Sequence, residues 1–308
     1  MKVRRGLALA GALLVTACGL SVVGTSPEGT GLEAGVDGAP VSPDGAPLVT
    51  DDGAITADAG ADAAIADAGE DVFIPEVDAS GYPGPPVTVD GQGCPSGRGP
   101  AMLKEGKVCI DADEVTNAQY GVFLDALPTI GSPVDLSPDC KTKTSHTPGV
   151  WSGGLQQDLP VVNVDWCDAD AFCRWAGKKL CGDTTGKPLP QDPGHLNKVG
   201  KDPWYELCSD DGANAYPYGD TYTVGKCNAG QGALAPAGNP YSCEGSLAGL
   251  HHMVGNAKEL ANTCAGKKCV ARGGSFRDLA MTTCDTTSDV QRDTRADDMG
   301  IRCCAYLP

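Results

Sequence analysis

Cysteine is the residue type in this chain with the most chemistry to offer, because thiols form disulfides, bind metals and act as nucleophiles. The chain of 308 residues has 15 cysteines, and all but Cys18 lie between Cys94 and Cys304. An even and dense set of cysteines in an exported chain indicates a disulfide framework. Cys264 and Cys269 also have the spacing of one half of a zinc site, and the sequence leaves that alternative open.

Histidine, the other common metal ligand and proton carrier, occurs 4 times and in no pattern typical of an active site. His146 and His195 stand alone, whereas His251 and His252 are adjacent, which favours a surface or turn feature over a pair of ligands. No His-x-x-x-His pair, iron-site spacing, Ser-His-Asp order, phosphate loop or dinucleotide fingerprint stands out. The histidines therefore assign no catalytic residue.

The acidic side chains are unevenly placed. The formal net charge is −17, and residues 19–92 contain 14 acidic side chains and no lysine or arginine. Allowing for the three cations near the N-terminus, residues 93–308 carry only −6. Nucleic-acid binding, which needs a basic face, is therefore not expected.

The first 18 residues have the order of a bacterial export signal. Lys2, Arg4 and Arg5 precede a short apolar run that ends in Val-Thr-Ala-Cys at Cys18, and this run is well short of the roughly 20 residues that span a bilayer. The ending resembles the lipobox of bacterial lipoproteins, which implies that Cys18 is lipidated; an ordinary secretory signal is the alternative. Because Gly19 rather than an aspartate follows, we expect an exported, lipid-anchored protein at the outer membrane or cell surface.

Residues 19–92 are expected to form a disordered linker between this anchor and one folded domain, residues 93–308. The segment is rich in Ala, Gly, Asp and Pro, and Phe73 and Tyr82 are its only aromatic residues. Such a composition buries too little apolar surface to offset chain entropy. A coil of this length spans roughly 50 Å end to end, enough to hold the domain clear of a membrane.

Two helices that could position side chains are predicted in the C-terminal domain. Thr116 and Gln119 form a capping box ahead of apolar residues at helical spacing, and Pro128 should end this helix. The second helix should run from its N-cap Asp165 to about Ala176. Short β-like runs are expected at residues 108–110, 159–164, 270–276 and 300–306. The predicted class is therefore α+β with little regular secondary structure, rich in disulfides.

Several segments in a fixed order carry a resemblance to one protein family. They are Cys109-Ile110-Asp111 with Glu114-Val115-Thr116-Asn117, Pro160-Val161-Val162-Asn163-Val164 with residues 166–180, residues 216–220 with Cys227-Asn228, residues 253–257 with Glu259, Arg272-Gly273-Gly274-Ser275-Phe276, and Gly300-Ile301-Arg302-Cys303. Together they resemble the formylglycine-generating enzymes, also called sulfatase-modifying factors. The resemblance covers roughly residues 94–307 and implies the irregular α+β, C-type-lectin-like fold of that family.

Active members of that family oxidise a sulfatase cysteine to formylglycine with oxygen, using two thiolates that bind Cu(I), a soft metal ion. Here the corresponding segment, residues 275–284, contains only Cys284, which matches the family's structural cysteine, while Met281 is a lone thioether. The resemblance therefore implies a member without catalytic residues or copper that binds a protein, peptide or glycan. The alternatives are a copper-dependent formylglycine-generating oxidoreductase and another oxidoreductase on the same scaffold.

The resemblance also implies specific disulfides. The family's pairing implies Cys173–Cys303 and Cys208–Cys284. Local spacing suggests three further pairs, which are Cys94–Cys109, Cys227–Cys243 and Cys264–Cys269. Four cysteines then remain and can pair in three ways; they are Cys140, Cys167, Cys181 and Cys304.

Some of the residues that form a calcium site in this family are present in this sequence. The family binds Ca²⁺ through carbonyl oxygens of a Val-Gly-Asn-Ala turn, a following glutamate and an earlier asparagine. Gly255, Ala257 and Glu259 match, whereas His252 replaces the asparagine, and imidazole is a poor calcium ligand. The resemblance makes Ca²⁺ at this turn one expectation, and a purely structural turn in which Glu259 caps backbone amides is the other.

Overall fold

The computed structural model describes residues 85–130, 136–151, 155–238, 243–278 and 282–308. The export signal with Cys18, most of the expected linker and Met281 lie outside the described residues. Inside the described ranges, no helix is both long and apolar enough to cross a bilayer.

Short elements joined by turns make up the described part of the chain. The helices are α1 (Asn117–Ile130), α2 (Trp166–Trp175) and α3 (Pro203–Ser209), with one 3-10 turn at Pro138–Cys140. The strands are β1 (Thr88–Val89), β2 (Pro95–Ser96), β3 (Met102–Glu105), β4 (Val108–Asp111), β5 (Lys179–Leu180), β6 (Lys258–Ala265), β7 (Lys268–Arg272), β8 (Thr287–Gln291), β9 (Met299–Gly300) and β10 (Cys303–Tyr306). The α+β class with little regular structure is confirmed.

Two four-stranded sheets organise these strands. The first has the order β3-β4-β10-β5 and is antiparallel throughout, so that β10 pairs with β4 on one side and β5 on the other. The second has the order β8-β7-β6-β9, in which the β6–β9 pair is parallel. Strands from the last third of the chain therefore occur in both sheets.

The folded domain begins earlier than the boundary at residue 93 that composition suggested. Strand β1 pairs with β2, and the buried Arg98 donates hydrogen bonds to the carbonyl oxygens of Pro85, at 2.5 Å, and Trp175, at 2.6 Å. Residues 85–92 have the composition of a linker, but their backbone satisfies a buried guanidinium. Residues 85–92 therefore pack with the folded domain, whereas the part of the expected linker before residue 85 lies outside the described residues.

Both predicted helices form, and their N-terminal signals act as expected. Thr116 and Gln119 exchange side chain to backbone hydrogen bonds at the start of α1, and Asp165 accepts from backbone amides at the start of α2. The prediction that Pro128 ends α1 is wrong, because the helix continues to Ile130. Proline near the end of a helix removes a single amide donor from its last turn, which the helix tolerates.

Aromatic side chains form the core between the two long helices. Tyr120 and Phe123 of α1 pack against Phe172 and Trp175 of α2, with ring centroids between 5.5 and 5.7 Å apart. All four side chains are buried. This packing fixes α2, the helix that carries Cys173, against the rest of the domain.

Two expected β-like runs are interrupted in the structure. Residues 159–164 form only an isolated bridge between Pro160 and Thr116, because Asn163 has a left-handed φ of 60°. Residues 300–306 are divided between β9 and β10. Apolar composition alone predicted continuous strands, and it does not reveal such breaks.

Candidate functional site

Sulfur chemistry was the first candidate, and the structure pairs all 14 cysteines of the described ranges as disulfides. Five pairs are those expected from the sequence: Cys94–Cys109, Cys173–Cys303, Cys208–Cys284, Cys227–Cys243 and Cys264–Cys269. The cysteines left open pair as Cys140–Cys167 and Cys181–Cys304. The described residues therefore offer no thiol for a metal, and the disulfide between Cys264 and Cys269 removes the zinc alternative.

The segment that would carry catalysis leaves β7 through two glycines. Gly273 and Gly274 have left-handed φ values of 76° and 64°. A Cβ atom on Gly273 would lie 2.3 Å from the carbonyl oxygen of Met253, and one on Gly274 would lie 2.4 Å from Thr282 Cγ2. Glycine is required here by both conformation and space, and this turn is why the expected run 270–276 ends as a strand at Arg272.

The turn places the buried Ser275 beside a partly exposed cluster of charges. Ser275 Oγ lies 2.9 Å from Asp278 Oδ2 and 2.9 Å from Asp298 Oδ2. Lys258 Nζ forms ion pairs with both carboxylates, at 2.8 Å from Asp298 Oδ2 and 3.1 Å from Asp278 Oδ2. We call these four residues the Ser275 cluster.

The contacts within the Ser275 cluster favour the charged forms of Lys258 and Asp278. Burial opposes the charge on Lys258, but the bonds to Asp298 and Asp278 outweigh it and raise the pKa of Lys258. Burial likewise opposes ionisation of Asp278, but the Ser275 hydrogen bond and Lys258 outweigh it and lower the pKa of Asp278. The Ser275 hydroxyl is thus bonded to two carboxylates that are ion-paired with one lysine, and no described histidine bonds to it. This is a structural ion-pair cluster rather than an activated nucleophile.

Arg277, in the same segment, contacts two neighbouring side chains. Its guanidinium forms an ion pair with Asp297, in which Nε donates to Asp297 Oδ1 at 3.1 Å, and lies 4.8 Å from the centroid of the Phe276 ring. Arg277 and Asp278 are therefore both engaged with neighbouring side chains. Sequence reasoning considered residues 275–284 and Met281 but missed Lys258 and Asp298, which are distant in sequence.

The expected calcium ligands lie beside a different buried cluster. Glu259 Oε2 accepts from Trp204 Nε1 at 2.5 Å, and Glu259 Oε1 accepts from Arg302 Nε at 2.6 Å. Arg302 is buried and also donates to the carbonyl oxygens of Asp111 and His251. Both carboxylate oxygens of Glu259 are thus engaged, and a guanidinium already supplies the positive charge.

The remaining members of the calcium set do not restore the site. Gly255 has a φ of 81° and donates its amide to Gly273, and the Ala257 amide donates to Glu114. His252 is fully buried, so of the two alternatives expected for it the surface feature is wrong, whereas its left-handed φ of 55° suits a turn. Among the described residues, no group of three His, Cys, Asp or Glu side chains could hold a metal. The residues present therefore fit a structural turn better than they fit Ca²⁺. The expectation that Glu259 caps backbone amides is nevertheless wrong, because Glu259 accepts from Trp204 and Arg302 side chains and Glu114 accepts from the Ala257 amide.

Glu114 is the second carboxyl of this buried region, and sequence reasoning noted it only as part of a motif. Its two oxygens accept hydrogen bonds from Asn256 Nδ2 at 3.0 Å and from the Ala257 amide at 3.1 Å. Burial raises the pKa of Glu114 to about 8 against the opposing charge of Arg302, and nearby Glu259 adds to the shift. Glu114 is therefore a buried titratable group near neutral pH.

The other histidines are dispersed. His146 is buried, with Nδ1 3.2 Å from Asp168 Oδ1, whereas His195 is exposed beside Asp192. His251 is partly exposed and has Nδ1 2.9 Å from Asp113 Oδ1. The structure does not bring these side chains together into one site.

Comparisons with known proteins agree on one family. The model of the sulfatase-modifying factor enzyme 1-like domain matches residues 106–307. A mouse protein (Mus musculus) named inactive C-alpha-formylglycine-generating enzyme 2 is 27% identical over 171 residues, which are 47% of this chain and 49% of that protein. The chain thus spans about half the length of this curated relative.

Two solved structures of similar proteins are that of CarF and that of PvdO, the second from Pseudomonas aeruginosa. CarF is 18% identical, with a TM-score of 0.44, over 68% of this chain and 97% of its own. PvdO is 16% identical, with a TM-score of 0.44, over 65% of this chain and 80% of its own.

Proposed function

Because the chain belongs to the sulfatase-modifying factor family, as its motifs indicated, we propose that it is a non-catalytic member that acts by binding. In this proposal a lipid on Cys18 anchors the exported protein at the outer membrane or cell surface. The linker then presents the folded domain to a ligand, which is a protein, a peptide or a glycan.

Disulfide bonding is the observation that carries the non-catalytic part. A Cu(I) site of the family's type needs two neighbouring thiolates, and every cysteine of the described residues is in a disulfide. The segment before Cys284 has no second sulfur of the cysteine type to replace them. The mouse relative, whose name describes an inactive enzyme, supports the same proposal.

The polar contacts of the Ser275 cluster also support the non-catalytic proposal. Asp278 and Asp298 accept from the Ser275 hydroxyl and share one cation, Lys258. The lowered pKa of Asp278 makes it a weak base, and no described histidine bonds to the hydroxyl, so the cluster lacks a general base matched to proton transfer near neutral pH.

Disulfide density also supports the export part. Disulfides form and persist in oxidising compartments, outside the cytoplasm. A chain with seven of them in its described residues fits an exported protein.

An assay of formylglycine formation tests the proposal directly. The full-length protein is incubated with Cu(I), oxygen and a sulfatase-motif peptide. Any peptide aldehyde is trapped with a hydrazide, and the adduct is detected by mass spectrometry. We expect no aldehyde above a control without protein. Aldehyde in excess of that control would overturn the non-catalytic proposal in favour of a formylglycine-generating oxidoreductase.

Counting free thiols in the unreduced, denatured protein is a second, independent readout. We expect none from residues 94–304, because their cysteines are paired. Two alkylated cysteines within this range would revive a thiolate copper site.

A further inference from the structure

Three adjoining cavities form a groove beside α3, which we call the α3 groove. Their volumes are about 500, 390 and 370 Å³. The first two share Asp210 and Ser246, and the second and third share Asn214. No residue of the Ser275 cluster lines any of the three, so the α3 groove is separate from the segment discussed above.

Carboxylates dominate the lining of the α3 groove. Two lysines, Lys107 and Lys226, stand against seven acidic residues, which are Glu105, Glu206, Asp210, Asp211, Asp220, Glu244 and Asp285. In the described ranges no lysine or arginine forms an ion pair with any of the seven. Other carboxylates of the domain do have such partners, as Asp202 has Arg272 and Glu259 has Arg302. Of the seven, Glu244 faces a histidine, since His251 Nε2 lies 3.4 Å from Glu244 Oε1. With seven carboxylates against two lysines, the lining of the groove carries a net negative charge.

The end of α3 places two of these carboxylates side by side. Asp210 and Asp211 have left-handed φ values of 53° and 54° and precede Gly212, which has a φ of 78°. Consecutive non-glycine residues in this conformation are uncommon, although aspartate tolerates it better than most. Partial burial raises the pKa of Glu206 despite a hydrogen bond from Gly200, and the charges of Asp211 and Asp202 add to the shift. A cation in this part of the groove would relieve that repulsion.

Charge excludes several occupants of the α3 groove. The chain's own residues 19–92 have 14 acidic side chains and no lysine or arginine, and a second copy of the chain would also bring a net charge of −17. An anionic lipid surface would be repelled for the same reason. The carboxylates do not converge as a metal site among the described residues. What fits is a cationic and extended segment of another molecule.

Tyrosine side chains supply a second feature that suits a cation. Tyr205 and Tyr218 line the second half of the groove, and Lys226 Nζ already lies 6.0 Å from the centroid of the Tyr218 ring. Lysine and arginine are attracted to such ring faces. We propose that the α3 groove binds an extended peptide segment rich in lysine and arginine, which rests on the proposed binding function and names its ligand class.

Fluorescence anisotropy with a defined probe tests this site. The probe is a fluorescein-labelled peptide of alternating lysine and serine, and its partner is the same peptide with glutamine in place of lysine. We expect the full-length protein to bind the lysine peptide more tightly, and to do so less strongly as salt is raised. The double variant Asp210→Asn with Asp211→Asn should weaken binding about tenfold, since it removes two carboxylates while asparagine keeps the left-handed turn.

The matched control is the double variant Asp125→Asn with Asp289→Asn, at two exposed positions outside the groove. It makes the same change in net charge and leaves the acidic linker untouched, so its affinity should change less than twofold. Equal loss in the two double variants, or no loss in the groove variant, would overturn the site, because general charge or the linker would then explain binding. Displacement of the lysine peptide by a neutral oligosaccharide would overturn the peptide assignment.

The two proposals fail in different ways. Aldehyde formation in the copper assay would overturn the non-catalytic proposal without altering the peptide affinities. If the Asp210/Asp211 variant and the control variant lost peptide affinity equally, the α3 groove would be excluded as the peptide site. The non-catalytic proposal would still stand.

Discussion

The buried carboxyl of Glu114 couples the stability of the domain to pH. Its folded-state pKa of about 8 lies above the ordinary value of 4.5. The protonated form is therefore favoured by folding, and its contribution to stability is complete below pH 4.5 and is lost as pH rises toward 8. Glu114 had no chemical role in the sequence, because only the packed fold places it beside Glu259 and Arg302.

We expect Glu114→Gln to remove this pH dependence, since the amide does not titrate. Between about pH 4.5 and 8 the free energy of unfolding of the unmodified protein should fall relative to the variant by up to about 1.4 kcal/mol per pH unit. Urea unfolding with the disulfides intact, at several pH values, measures the difference in slope. Glu105→Gln, at an exposed position, is the matched control, and equal slopes in all three proteins would contradict the assignment.

Individual elements differ in how far the sequence predicts them. The start of α2 was predicted because the signals are local: Asp165 and Asp168 form a capping box within one turn. The cysteines that local spacing left open could not be paired, because Cys181 and Cys304 are 123 residues apart. The Ser275 cluster was missed for the same physical reason, since Lys258 and Asp298 reach Ser275 only after two strands have paired.

The turn after β7 provides a test at the scale of the element. We expect Gly273→Ala to destabilise the domain through two effects, because φ is left-handed, which costs about 1 to 2 kcal/mol, and because Cβ would meet the Met253 carbonyl. Crowding of this kind adds about 1 to 3 kcal/mol. Gly266→Ala is the matched control, since Gly266 also has a left-handed φ but has open space around its Cβ position.

Thermal unfolding of the two variants separates conformation from crowding. Gly273→Ala should lower the melting temperature clearly more than Gly266→Ala does. Similar shifts for both would mean that the backbone near Met253 moves aside, and that the close approach does not fix the position of Ser275.

The whole molecule joins an acidic, lipid-anchored segment to a folded domain in our proposal. We expect Cys18→Ala to move the full-length protein from the detergent phase to the aqueous phase in detergent phase partitioning, because the acyl chains would be lost. Gly19→Ala, which keeps the cysteine, should partition as the unmodified protein does. Identical partitioning of both variants would contradict lipidation at Cys18.

Charge at this scale agrees with the ligand class inferred for the α3 groove. Residues 19–92 and the lining of the α3 groove are both acidic. A basic segment would experience both fields during its approach, which speeds association at low salt. The sequence places most of the net negative charge in the expected linker. Only the fold shows which carboxylates of the domain form no ion pair with a lysine or arginine of the described residues.

The crosslinks that end on β10 determine what a protease could achieve. Cys173–Cys303 and Cys181–Cys304 close loops of 130 and 123 residues, and both loops contain α3 and the turns that follow it. If one peptide bond in those exposed turns is cut, the two fragments remain covalently attached through at least two bridges. A nicked molecule would therefore stay in one piece until its disulfides are reduced, and it would shed no part of the α3 groove.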